Sequence, residues 1–260
     1  MILVLAPLLL GYSQMALAHN PLASGGQEQL AALLGALLLA LFWLLYSAGS
    51  RRKPPHWYQG LYFHAGIVLC FLAILGPLDE LAETSAAAHM TQHMLFMVVI
   101  TPLWVLAQPL AQIAVGGGKV LTMIWQPMLR LTLHPVLAAW LHGAIIWFWH
   151  IPVFYLLALE NPWWHLIEHA CFIVSAGLFW WAVLNSTHKN IPWALLALLL
   201  TLMHTGFLGA ILTFARVPLY GDGRVLEDQQ LAGLIMWVVG AIPYLMASVW
   251  IGRRWYRRLD

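Results

Sequence analysis

Charged side chains are scarce in this 260-residue chain: twelve Lys and Arg with ten Asp and Glu make up 8% of it, against roughly 25% in an ordinary soluble domain. So few charges cannot cover a water-exposed globular surface, and the net charge of +2 includes no basic block of the kind that binds nucleic acid. Cysteine is scarcer still. Cys70 and Cys171 have no CxxC spacing, which argues against a disulfide framework, and no CxxCH site for covalent haem is present. Long linkers and low-complexity tracts are absent, and the longest polar stretch is 216–230, rich in Gly and acids. In their place stands apolar bulk, 62% of all residues, with a mean hydropathy of +0.79. These values describe an all-α polytopic protein whose main surroundings are the lipid bilayer.

A helix needs about 20 apolar residues to cross the hydrocarbon core. Seven stretches satisfy this, near 29–48, 57–78, 86–107, 134–157, 163–184, 192–214 and 231–251, and they predict a single seven-helix transmembrane domain over 19–260. The segment 119–133 between the third and fourth is too short and is interrupted by Pro127, so it is predicted to lie in the interface. Ten of the twelve basic residues follow helices one, three, five and seven, at Arg51, Arg52, Lys53, Lys119, Arg130, Lys189, Arg253, Arg254, Arg257 and Arg258. Basic loops stay cytoplasmic, which predicts an outer amino terminus and an inner carboxyl terminus. Residues 1–18 read either as a cleaved signal peptide, with Ala16, Leu17 and Ala18 as its small-residue cleavage pattern, or as an extra helix. Cleavage would leave His19 with a free amine beside its imidazole.

Five of the twelve histidines fall at the predicted outer ends of helices: His89, His93, His150, His165 and His169. Four form i, i+4 pairs, HMTQH and HLIEH, a spacing that stacks two imidazoles about 6 Å apart on one helix face. The third and fifth helices both run inward, so the pairs lie at matching depth, and the outward fourth helix brings His150 to the same layer. Ionisable groups inside a membrane mark functional sites, so these five are the predicted metal ligands. Met97 continues the stripe of His89 and His93 by another four residues and Met90 and Met94 flank it, and thioether with imidazole favours copper; these methionines and His19 are further candidates.

Two other chemistries compete. His165, Glu168 and His169 spell HxxEH, in which two histidines hold zinc and the glutamate is a general base. The matching position in the other pair is Gln92, and no third ligand or substrate groove is evident, so Glu168 is expected instead to hydrogen-bond a ligating imidazole from behind. His64, His142 and His204 lie deeper and could hold noncovalent haem for electron transfer.

The segments HMTQHM at 89–94, HP at 134–135, WHIPVFYLLAL at 149–159, HLIEHACF at 165–172, LFWW at 178–181 and DQQLAGLIMW at 228–237 resemble the CtaG family of integral-membrane cytochrome c oxidase assembly factors. The resemblance runs over nearly the whole chain from helix one to helix seven. It implies a non-enzymatic factor in a bacterial-type plasma membrane, with cytochrome c oxidase subunits as partners and copper delivery as its task. The family's motif histidines then correspond to His89, His93, His165 and His169. Asp228 and Gln229 belong to the last-helix motif, and with Glu168 and Gln92 they are expected to steady the ligating imidazoles.

Overall fold

The computed structural model describes residues 26–221 and 225–257. The readings of 1–18 and of His19 lie outside the described residues. Every regular element among the described residues is a helix. In chain order they are α1 (Gly26–Arg52), α2 (Trp57–Leu75), α3 (Pro77–Thr84), α4 (Ala86–Met94), α5 (Thr101–Ala107), α6 (Leu110–Gly117), α7 (Lys119–Leu131), α8 (Pro135–Trp149), α9 (Pro152–Glu160), α10 (Pro162–Leu184), α11 (Ile191–Phe214), α12 (Leu226–Leu234) and α13 (Ala241–Tyr256). Among the described residues six helical runs are long and apolar enough to cross a membrane, or seven if the bent pair of α7 and α8 is one span.

Two spans are composite. A π-helical stretch, Leu95–Ile100, joins α4 to α5, and another, Ile235–Val239, joins α12 to α13. The α4 helix packs on the second of them. Carbonyls released by the wider turn need partners from outside the helix. The Met97 carbonyl finds one in the Trp180 indole N–H at 2.7 Å.

The predicted continuous fourth helix over 134–157 is corrected. The chain breaks after Trp149, and α8 and α9 are separate helices. Pro152 is the cause, because its ring disfavours helical backbone in the residue before it, and Ile151 is extended at φ −65°, ψ 127°. His150 is thereby left as the C-terminal cap of α8. The predicted interfacial segment is α7, which meets α8 at 105°, while α6 doubles back along α1.

The α11–α12 crossing depends on two glycines. A Cβ added to Gly233 would lie 2.5 Å from the Gly209 carbonyl, and one added to Gly209 would lie 2.8 Å from that of Gly233. Small residues let membrane helices approach this closely.

Hydrogen bonds fix which helix ends lie together. Arg254 donates to the carbonyls of Leu184 and Ser186, Gln108 to Asn185 and Gln112 to the Lys53 carbonyl, so the ends of α1, α5, α10 and α13 share one rim with the basic residues in the last turns of α1 and α13. The starts of α4 and α12 meet at the opposite rim through Asp228, where the first turns of α3 and α12 are acidic.

Candidate metal centre

Asn161 and Ser85 determine where the histidines come. The Asn161 side chain accepts from the Trp163 and Trp164 amides and starts α10, which puts His165 and His169 in its first two turns. Ser85 accepts from the Ala88 amide at 3.1 Å and starts α4 three residues before His89. The rings of His89 and His93 are 4.1 Å apart, as are those of His165 and His169. The two pairs face each other in register. His89 stacks on His165 with ring centres 5.4 Å apart, and His93 meets His169 edge-on at 5.6 Å.

Glu168 reaches into this layer. Its Oε2 lies 3.7 Å from His89 Nε2 and 3.6 Å from His93 Nε2, and all three side chains are buried. One donor atom from each of His89, His93, His165 and Glu168 lies within 4.8 Å of all the others. Separations of 3.6–3.7 Å are long for a hydrogen bond. They are close to the edge, about 3.4 Å, of a tetrahedron with metal–ligand bonds of roughly 2.0–2.1 Å. Neither Glu168 oxygen has a hydrogen-bond partner, nor do His93 Nδ1 and Nε2 or His165 Nε2. Buried polar atoms in native proteins are almost always paired, so a cluster of orphaned donors is the pattern expected of metal ligands.

Aromatic rings close the surroundings. Tyr155 lies against His89 with centroids 5.2 Å apart, Phe172 against His93 at 4.6 Å and Phe96 against His169 at 4.7 Å. Tyr220, from the segment after α11, stacks on Tyr155 at 3.8 Å and donates to the His150 carbonyl. Desolvation raises the Tyr220 hydroxyl above its ordinary value.

The sequence-predicted residues divide as follows. His89, His93 and His165 come together, and the Glu168 carboxylate lies among them. Its i, i+3 spacing from His165 shares a helix face and carried that signal. His169 lies beside the four-donor group, with Nε2 unpartnered. His150 bonds through Nδ1 to the Ile146 carbonyl at 2.7 Å, which fixes the proton there and leaves Nε2 as a bare lone pair without a partner. It is close enough to Glu168 to interact electrostatically.

Met90, Met94 and Met97 pack in the hydrophobic core. Met94 Sδ is directed at Gly240, 2.9 Å from where a Cβ would stand, and the π turn that begins at Leu95 ends the regular stripe before Met97. Gln92 turns away towards α2 and α3, donating to the Ala73 carbonyl at 2.8 Å and to Asp79 at 2.6 Å. Asp228 caps α4, accepting from Ser85 Oγ at 2.8 Å and from the Ala86 and Ala87 amides. Gln229 accepts from the Leu219 amide at 2.7 Å and holds the segment that carries Tyr220. Their support of the histidines thus runs through backbone placement.

The haem candidates lie apart. His64 is exposed and accepts from the Trp43 indole, while buried His142 bonds Ser175 Oγ at 2.9 Å. A Cβ on Gly143 would lie 2.7 Å from His204 Nε2, so that ring rests on the α8 backbone.

Asp79 belongs to α3, outside the spanning helices. Burial pushes its carboxyl up from 3.8 to about 6, against the opposing hydrogen bond from Gln92. Between those values the folded protein holds more protons than the unfolded chain, so the stability from this group is full below pH 3.8 and is lost as pH rises through about 6. Asp79→Asn, whose amide oxygen still accepts from Gln92, is expected to flatten that decline. Thermal midpoints of the two proteins from pH 4 to pH 7 provide the check, and parallel profiles would refute the assignment.

The fold and site together define a helical integral membrane protein with a buried donor cluster of three histidines and a glutamate. A family model described as cytochrome c oxidase caa3 assembly factor (Caa3_CtaG) matches residues 36–258, and the chain belongs to that family. Comparison with curated proteins and with solved structures gave no significant match.

Proposed function

We propose that the protein carries copper as cargo for the maturation of a cytochrome c oxidase, holding the ion on His89, His93, His165 and Glu168 and passing it to an oxidase subunit alongside. The carrying observation is the meeting of four donors, three of them imidazoles and all buried except half-buried His165, within 4.8 Å. Family membership supplies the oxidase as the destination. Imidazole with carboxylate suits Cu(II) and zinc better than magnesium or calcium, so zinc is the competing ion. His150 and His169, each with a free Nε2 near the cluster, provide alternative ligands during exchange. The positive-inside rule supports reading the basic rim of the bundle as cytoplasmic, and with it the donor cluster as outward-facing in a bacterial-type plasma membrane. Glu168, turned towards His89 and His93, acts as a ligand in this reading and not as a hydrolytic base.

Purified protein in lipid nanodiscs is expected to take up one equivalent of copper per chain. Cells carrying His93→Ala should assemble oxidase with less copper while the variant still inserts at normal levels. No copper uptake, or full oxidase copper in the variant, would reject the role.

A further inference from the structure

A cavity of about 550 Å³ opens between α1, α2, α3 and α10, and the donor cluster does not fill it. Five carboxylates line it at the acidic end of the bundle: Glu28, Asp79, Glu80, Glu83 and Glu160. Further in, its walls are apolar, with Leu38, Phe42 and Ile173 among them. His165 and His169 also line it, and they are its link to the metal centre. His165 belongs to the four-donor group. His169 is 6% exposed, its Nε2 has no hydrogen-bond partner, and its ring is 4.1 Å from that of His165 and 5.6 Å from that of His93.

We infer that this cavity is the route by which the metal cation reaches and leaves the cluster, with His165 and His169 as the ligands that take it from the cavity. The inference rests on the proposed metal-carrying role. The carboxylates gather cations at the mouth, because a cleft lined by one sign of charge with low-dielectric walls focuses the field and raises the local ion concentration. His165 and His169, in the first two turns of α10, then replace water with nitrogen lone pairs, and the ion passes to His89, His93 and Glu168 by simple ligand exchange, with no change of oxidation state. This accounts for a fourth paired histidine that lies beside the donor group and not within it.

The test uses the full chain in nanodiscs of neutral lipid, with Cu(II) and, separately, Zn(II) as probes. Loading is followed by quenching of the 15 tryptophans in a stopped-flow instrument. A rim variant, Glu28→Gln/Glu80→Gln/Glu160→Gln, is expected to load about 10-fold more slowly at low ionic strength. The difference from wild type should shrink as salt is raised. The plugged variant Ala32→Trp, which fills the cavity from α1, should load slowly at every ionic strength. Both should reach the wild-type stoichiometry. Normal loading rates in both variants would overturn the route and leave the metal centre standing. A wild-type protein that binds neither ion would overturn the metal centre and the route with it.

Discussion

Glu168→Leu is expected to stabilise the metal-free protein and to abolish metal binding in the same step. The carboxylate is fully buried and neither oxygen is hydrogen-bonded. A buried polar group left unpaired costs about 1–3 kcal/mol, and an apolar side chain of similar length removes that cost. In a chain of this size the thermal midpoint of the metal-free protein should rise by about 2–4 °C per kcal/mol. Metal affinity should fall by more than the roughly 10- to 100-fold loss that follows removal of a group supporting a ligand, because the substitution takes away a ligand. The stabilisation that added copper gives the wild type should vanish accordingly. A charged network that needs no metal predicts the opposite sign, since removing the carboxylate would strand imidazolium in a dry interior at a cost of about 3–5 kcal/mol. Differential scanning measurements with and without copper separate the two: a lowered midpoint with copper binding intact would refute the metal centre.

The sequence was legible wherever a pattern has a fixed length or period. Apolar runs of about 20 residues located the spans, and the i, i+4 spacing located both histidine pairs on facing helices. Breaks inside those runs were harder to see. Hydropathy averages over a window, so Ile151 and Pro152 disappeared into an apolar stretch although the X-Pro pair states that a helix ends there. The π turn at Leu95–Ile100 has no residue signature at all, and it ends the stripe that connected Met97 to His93. The exact place of Glu168 was hidden for another reason. Spacing places it on the face of His165, but whether its carboxylate supports the layer or enters it depends on how closely α4 approaches α10. That distance is set by the packing of both helices and is encoded in neither segment alone. Asp228 and Gln229 were legible as motif residues, while their partners on α4 and in the Tyr220 segment lie 142 and 10 residues away.

Asp228→Ala is the second large effect expected, and it tests whether the cluster is assembled by the last span. Asp228 accepts from Ser85 Oγ and from the Ala86 and Ala87 amides, so one carboxylate from α12 pairs two of the unsatisfied N–H groups that begin α4. Its charge also lies at the positive end of that helix. Losing a cap of this kind costs about 0.5–2 kcal/mol, and losing the charge a further 0.3–1 kcal/mol. His89 is in the first turn of α4 and His93 in the next, so fraying there displaces two of the four donors, and copper affinity should fall together with stability. Asp228→Asn keeps the Oδ1 acceptor that serves Ser85 and should recover part of both losses. Ser85→Ala removes the hydroxyl that both donates to Asp228 and accepts from the Ala88 amide, so the double variant with Asp228→Ala should fall short of additivity by about 0.5–3 kcal/mol. Strict additivity would mean that α12 does not hold the start of α4. Lost stability with copper affinity unchanged would mean that the first turn of α4 does not set the ligand geometry.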